Sequence, residues 1–187
     1  MPLHISSILA LLGCAIFVVA TAQATFLYPN YDFVNAYISD LGIGSTGGLF
    51  NTGCIIAGLL VLFFFSSFLK SRTIAGNLLG ALGIISMLGL IGVGVFSEDF
   101  VLLHIFFTGL FFIFAALTEL LFVIIIFAKS RISKLSIFEK MSALLGLIAF
   151  VIAFYFLLFA FGGFFEKISV AFSILWLLSL VFLEMKN

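Results

Sequence analysis

The chain has 187 residues, of which 65% are hydrophobic and 9% charged. That is too little charge to cover a soluble domain of this length, which excludes that class. Eight basic and eight acidic residues balance to zero, so nothing points to nucleic acid as a partner.

A helix needs about 20 mostly apolar residues to cross the hydrocarbon of a bilayer. Six stretches meet this, roughly 3–27, 49–69, 74–96, 102–128, 138–161 and 167–184. The expected fold is therefore an all-α polytopic membrane bundle of six transmembrane helices, with residues 1–187 as a single membrane domain. In the first span, Ala22-Gln23-Ala24 has the small-x-small pattern of a cleavage site. The opening MPLHISS lacks Lys and Arg, however, and the apolar run is longer than a usual signal core, so a retained helix is expected.

Between spans one and two lies YPNYDFVNAYISDLG, residues 28–42, the most polar stretch of the chain. Pro29 stops the first helix. Asn30 is a good N-cap, Asp32 suits a first helical turn, and Gly42 and Gly44 are natural terminators. A short interfacial helix over 31–41 is expected, with Tyr28, Tyr31 and Tyr37 at headgroup depth. Asp40 would sit at the wrong end of that helix's dipole. It needs a backbone donor, a cation or His104 to compensate it.

Cys14 and Cys54 lie in apolar runs at different depths, which argues against a disulfide, and their spacing forms no zinc motif. Span three carries Gly76, Gly80 and Gly83, then Gly89, Gly92 and Gly94. Bare glycine faces let neighbouring helices approach closely, which places this helix centrally in the bundle. Span four contains His104, Thr108, Ala115 and Glu119, which fall within 60° of one another at 100° per residue and form one inward stripe. A carboxylate at the depth of Glu119 costs about 2.5–3.5 kcal/mol unless paired or protonated. A neutral Glu119 bonded to a hydroxyl is expected, with Ser86 and Ser179 as partners by depth. Its role is open between a proton or cation relay and a structural hydrogen bond. His104, near the outer boundary, suits metal binding, proton transfer or a plain hydrogen bond. A divalent metal held by His104, Asp40 and Asp99, with Glu98 nearby, is one alternative to a cofactor-free protein. A regular helix from Glu98 would turn Asp99 140° away from His104. Haem held by two histidines is excluded, because His4 and His104 lie at opposite sides of the membrane.

Seven of the eight basic residues (Lys70, Arg72, Lys129, Arg131, Lys134, Lys140 and Lys186) fall on one side. That side is expected to be cytoplasmic, with both termini inside and the protein in the cell membrane. The other side carries Asp32, Asp40, Glu98, Asp99 and Glu166 against Lys167 alone.

YPNYDFVNAYISDLG, Phe50-Asn51 at the start of span two, and Phe96-Ser97-Glu98-Asp99 followed by His104 resemble the domain of unknown function (DUF) 998 family of six-span membrane proteins. The likeness covers almost the whole chain, and Ile38-Ser39-Asp40-Leu41-Gly42 is its most specific part. The family often writes Pro-Gly-Tyr where this chain has Pro29-Asn30-Tyr31, and Phe-Pro where it has Phe96-Ser97. The family name supplies no activity. The resemblance does imply that Tyr31, Ser39, Asp40, Asn51, Asp99 and His104 gather at the outer mouth of the bundle and line a polar pocket under the loop.

Three functions remain open. One is an outward-facing pocket for a lipid headgroup, cation or small polar ligand, and this is the favoured reading. Another is an intramembrane lipid hydrolase, with His104 as base, Asp40 orienting it, and Ser39 or water attacking. The last is a proton-coupled carrier with Glu119 as its coupling site. Membrane lipids are the expected partners, and oligomeric state is left open.

Overall fold

The computed structural model describes residues 3–159 and 162–186. Its order is α1 (Leu3–Leu27), α2 (Gly47–Phe68), α3 (Ile74–Val95), α4 (Val101–Ser130), α5 (Ile137–Phe159) and α6 (Gly163–Lys186). Short 3-10 turns occupy Ser39–Gly42, Gly44–Thr46 and Glu98–Phe100. All six α-helices are long and apolar enough to cross a membrane. Expected and observed spans agree closely for α1 to α5, residues 160 and 161 of the fifth lying outside the described residues. The sixth helix is longer than expected. Glu166, read as lying before the span, and Lys167, read as its first residue, both lie in its first turns, where polar groups of the loop before α2 meet them.

Local signals set the helix boundaries. Thr73 caps α3, its Oγ1 accepting from Gly76 N–H at 3.1 Å. Ser136 and Glu139 form a capping box before α5. Ser136 N–H donates to Glu139 Oε2 at 2.8 Å, and Glu139 N–H donates to Ser136 Oγ at 3.2 Å. Glu139 Oε1 also meets Lys129 Nζ at 2.5 Å, tying the end of α4 to the start of α5.

Each helix packs along its sequence neighbour and α6 returns to α1, so the six close into a ring, with α4 and α6 also meeting across it. The glycines of α3 serve two neighbours. A Cβ on Gly80 would stand 2.8 Å from Phe65 O of α2, and one on Gly89 would stand 2.7 Å from Phe111 Cα of α4. Gly76 instead makes room for its own cap, Ser71 and Thr73. The expectation of a central α3 is therefore corrected. It is the most buried of the six helices, yet it packs along α2 and α4 and so holds an ordinary place in the ring.

A void of about 70 Å³ lies inside the ring, walled by α1, α2, α3, α4 and α6. Three hydroxyls reach this wall and all point elsewhere. Ser86 Oγ donates to Phe111 O, Thr118 Oγ1 to Phe114 O, and Ser173 Oγ to Glu119 Oε1. An apolar void of this kind stays dry.

The loop before α2 corrects the expected interfacial helix. No α-helix forms over 31–41; residues 33–35 are a turn and only Ser39–Gly42 is helical, as a 3-10 turn. Side chains compete for the backbone donors a helix would use. Asp32 Oδ1 accepts from Val34 N–H at 3.0 Å and Asn35 N–H at 3.1 Å, and Asp40 Oδ2 accepts from Tyr37 N–H at 2.8 Å. Asn30 is no N-cap either. Its φ of 54° is left-handed, a conformation open to Gly and Asn.

Candidate functional site

The site is built at the loop end of the ring. Two buried apolar anchors, Ile38 and Leu41, seat the loop. Four polar contacts then fasten it. Ile38 N–H donates to Glu166 Oε2 of α6 at 2.6 Å, and Lys167 Nζ donates to Ala36 O. Asn51 Nδ2 of α2 donates to Gly42 O at 2.9 Å, and Thr46 Oγ1 donates to Leu41 O at 2.9 Å. Gly163 fits directly under the loop, and a Cβ there would collide with Ala36 O.

Tyr31 braces the loop from within, its hydroxyl donating to Tyr37 O at 2.9 Å. Lys167 Nζ stands 5.2 Å from the centre of the Tyr31 ring and 5.4 Å from that of Phe33. Burial raises the Tyr31 phenol pKa, and the carboxyls of Glu166, Asp40 and Asp32 add to the shift. Asp32 is held below its ordinary value, chiefly by the side-chain amide of Asn35 at 2.7 Å.

His104 is buried in the first turns of α4. Its Nδ1 hydrogen bonds with Phe96 O at 2.8 Å, and its Nε2 lies 4.0 Å from Glu98 Oε1 with no hydrogen-bond partner. The Glu98 carboxyl stands beside Ser39 and Asp40. The loop, the turn before α4 and α4 itself therefore bring Ser39, Asp40, Glu98 and His104 together. A void of about 30 Å³ lies next to them, reached by Ser39, Thr108 and Glu166. Thr108 Oγ1 is buried there without a partner.

The other expected site residues have different places. Tyr31 and Asn51 hold the loop, as above. Asp99 is exposed and accepts from Ser97 Oγ at 3.1 Å. Among the described residues, no group of three His, Cys, Asp or Glu side chains is placed to hold a metal ion. Glu119 is fully buried, with Ser173 Oγ donating to its Oε1 at 2.6 Å and Oε2 unpartnered. The expected partners are thus corrected. Ser86 bonds to Phe111 O, and Ser179 bonds to Trp176 O and Ser142. Ser179 lies 240° around α6 from Ser173, on the side facing α5.

Glu166 was missed as a site residue. A glutamate opening a helix next to a lysine reads as a dipole complement. The signal that finds it is spacing: Glu166, Val170, Ser173, Leu177 and Leu180 follow a 4-3-4-3 pattern, one stripe of α6 that faces the ring interior.

A family model described as "Protein of unknown function (DUF998)" matches residues 11–183. No curated protein and no solved structure matches the chain.

Proposed function

The chain belongs to the DUF998 family, and on that premise we propose a multi-pass cell-membrane protein with an external polar site that binds a cationic group. The ligand class is a lipid headgroup, a cation or a small polar molecule, and the charge of the site favours a positive one. Both termini are cytoplasmic in this reading, and the loop before α2 is outside. The charge distribution supports the orientation, with seven basic residues at the far end of the ring and Lys167 alone at this one.

One observation carries the reading. Asp40, Glu98 and Glu166 converge on the same end as His104, and Lys167 is the single lysine there to offset them. Three carboxyls thus share one cation, so an entering cation would stabilise their ionised forms, and opposite charges about 4 Å apart near a surface attract by roughly 4 kcal/mol. Asp40 and Glu98 face the entering group, Ser39 offers a hydroxyl beside them, and the free Nε2 of His104 is a further donor or acceptor. A divalent metal would require the carboxyls to close around it with His104. In the hydrolase reading Asp40 orients His104, but here Asp40 accepts from Tyr37 N–H and His104 Nδ1 meets Phe96 O.

Thermal melting of the purified full chain in detergent tests the proposal with sodium, potassium, magnesium, calcium, ethanolamine and choline. A cation at a hundredfold excess over its Kd should raise the melting temperature by roughly 5–10 °C. Glu98→Gln should abolish the rise and Asp99→Asn should preserve it. No rise with any cation, or equal effects of the two variants, would reject the site.

A further inference from the structure

The opposite end of the ring holds a larger cavity, about 420 Å³. Small-molecule sites typically measure roughly 300–1,000 Å³. It lies where α2, α4 and α6 end and where α3 and α5 begin. Its floor is apolar and buried, formed by Leu79, Phe122, Ile126, Leu180 and Leu183. Its rim is charged, with Lys70, Lys129, Glu139 and Glu184 beside the hydroxyls of Ser71 and Thr73.

These charges are not equivalent. Lys129 is neutralised in place by Glu139 at 2.5 Å. Among the described residues, Lys70 and Glu184 pair neither with each other nor with any other charge. Glu184 is half-buried, and a carboxylate in that position gains most from a cation that enters the cavity. The cavity thus offers one cationic corner flanked by hydroxyls, one anionic corner, and an apolar floor. It sits at the helix ends, the level where lipid heads join their chains.

We propose that this vestibule binds the head of a zwitterionic phospholipid carrying a primary ammonium. The phosphate meets Lys70 with Ser71 and Thr73, and the ammonium donates to Glu184. The first methylenes of the chains lie on Leu79 and Leu180. A neutral diacylglycerol leaves both charges unmet, and an anionic phospholipid leaves Glu184 unmet.

Native mass spectrometry of the full chain in detergent tests this with phosphatidylethanolamine, phosphatidylglycerol, diacylglycerol and soluble glycerophosphoethanolamine. The wild type should retain phosphatidylethanolamine above the other three. Lys70→Gln should weaken both phospholipids about tenfold and leave diacylglycerol unchanged. Glu184→Gln should erase the preference for phosphatidylethanolamine over phosphatidylglycerol. Glu184→Lys should reverse that preference, a gain that misfolding cannot supply. Diacylglycerol or the soluble headgroup binding as well as the phospholipid overturns the assignment, as does a wild-type lipid profile in all three variants.

Discussion

Tyr31 reports on the loop through its own proton. Its hydroxyl donates to Tyr37 O, and burial together with three neighbouring carboxyls raises its pKa in the folded state. A raised pKa favours the protonated form, so its contribution to stability is complete below the ordinary tyrosine value near 10. That contribution is lost as pH climbs through the folded-state value. Ultraviolet titration should therefore show a late-titrating tyrosine that Tyr31→Phe removes. If all tyrosines ionise together near their ordinary value, the hydroxyl is not held as described. Two other residues of the same end explain departures from the family pattern. Position 30, where the family often has Gly, is left-handed at φ 54°, and asparagine tolerates that conformation. Position 97, where the family often has Pro, has φ −61°, the angle a proline ring imposes. Both changes keep the backbone path. What stayed hidden at this scale was Glu166, whose partner, Ile38 N–H, lies 128 residues away in the chain. No local rule forecasts a side chain capping a distant backbone.

At the scale of elements, the glycines of α3 separate positions that are packed from positions that are free. A Cβ at Gly89 would meet backbone, Phe111 Cα at 2.7 Å and Leu110 C at 3.0 Å, and backbone cannot rotate away. Gly89→Ala should push α4 off α3 and cost about 2–3 kcal/mol. Gly109, within α4, has nothing within 4 Å of its added Cβ. Gly109→Ala should be neutral or stabilise by up to about 1 kcal/mol through helix propensity. Melting both variants in one detergent gives the comparison, and equal losses would contradict the packing of α3 on α4. Small-residue spacing announced a close helix contact but not which neighbour would use which face. The loop before α2 failed more deeply as a forecast. Its caps and terminators fit a helix, yet Asp32 and Asp40 bond to nearby backbone N–H groups and hold turns instead. The same side chains are evidence for either outcome until the loop's anchors on α2 and α6 are known.

For the whole molecule, hydropathy and length made the six helices legible, because the cost of bare backbone in lipid leaves few alternatives. Ring closure was not legible, since it depends on α6 meeting α1 across the whole chain. The ring leaves a void of about 30 Å³ beneath the loop, a dry one of about 70 Å³ inside, and a vestibule of about 420 Å³ at the far end. Phe17, Leu90, Phe111 and Val170 wall both smaller voids, forming an apolar partition between them. Glu119, bonded to Ser173 Oγ, lines neither smaller void. If the loop covers this end of the ring as a lid, as the proposed function requires, Cys54 can test it. Cys54 is buried and lines the void beneath Ser39. In a Cys14→Ala background it is the sole thiol. Glu166→Ala removes the acceptor of Ile38 N–H and leaves that buried donor unsatisfied, at a cost of about 1–3 kcal/mol. Losing it should raise the population with the lid open tenfold or more, and labelling through that opening should accelerate by the same factor. A membrane-impermeant maleimide applied outside intact cells should therefore modify Cys54 slowly in the parent and at least tenfold faster in Glu166→Ala. Glu166→Gln, which keeps an acceptor oxygen, should fall between. An unchanged rate would mean the loop is not held by Glu166, and acceleration only from the cytoplasmic side would invert the proposed orientation.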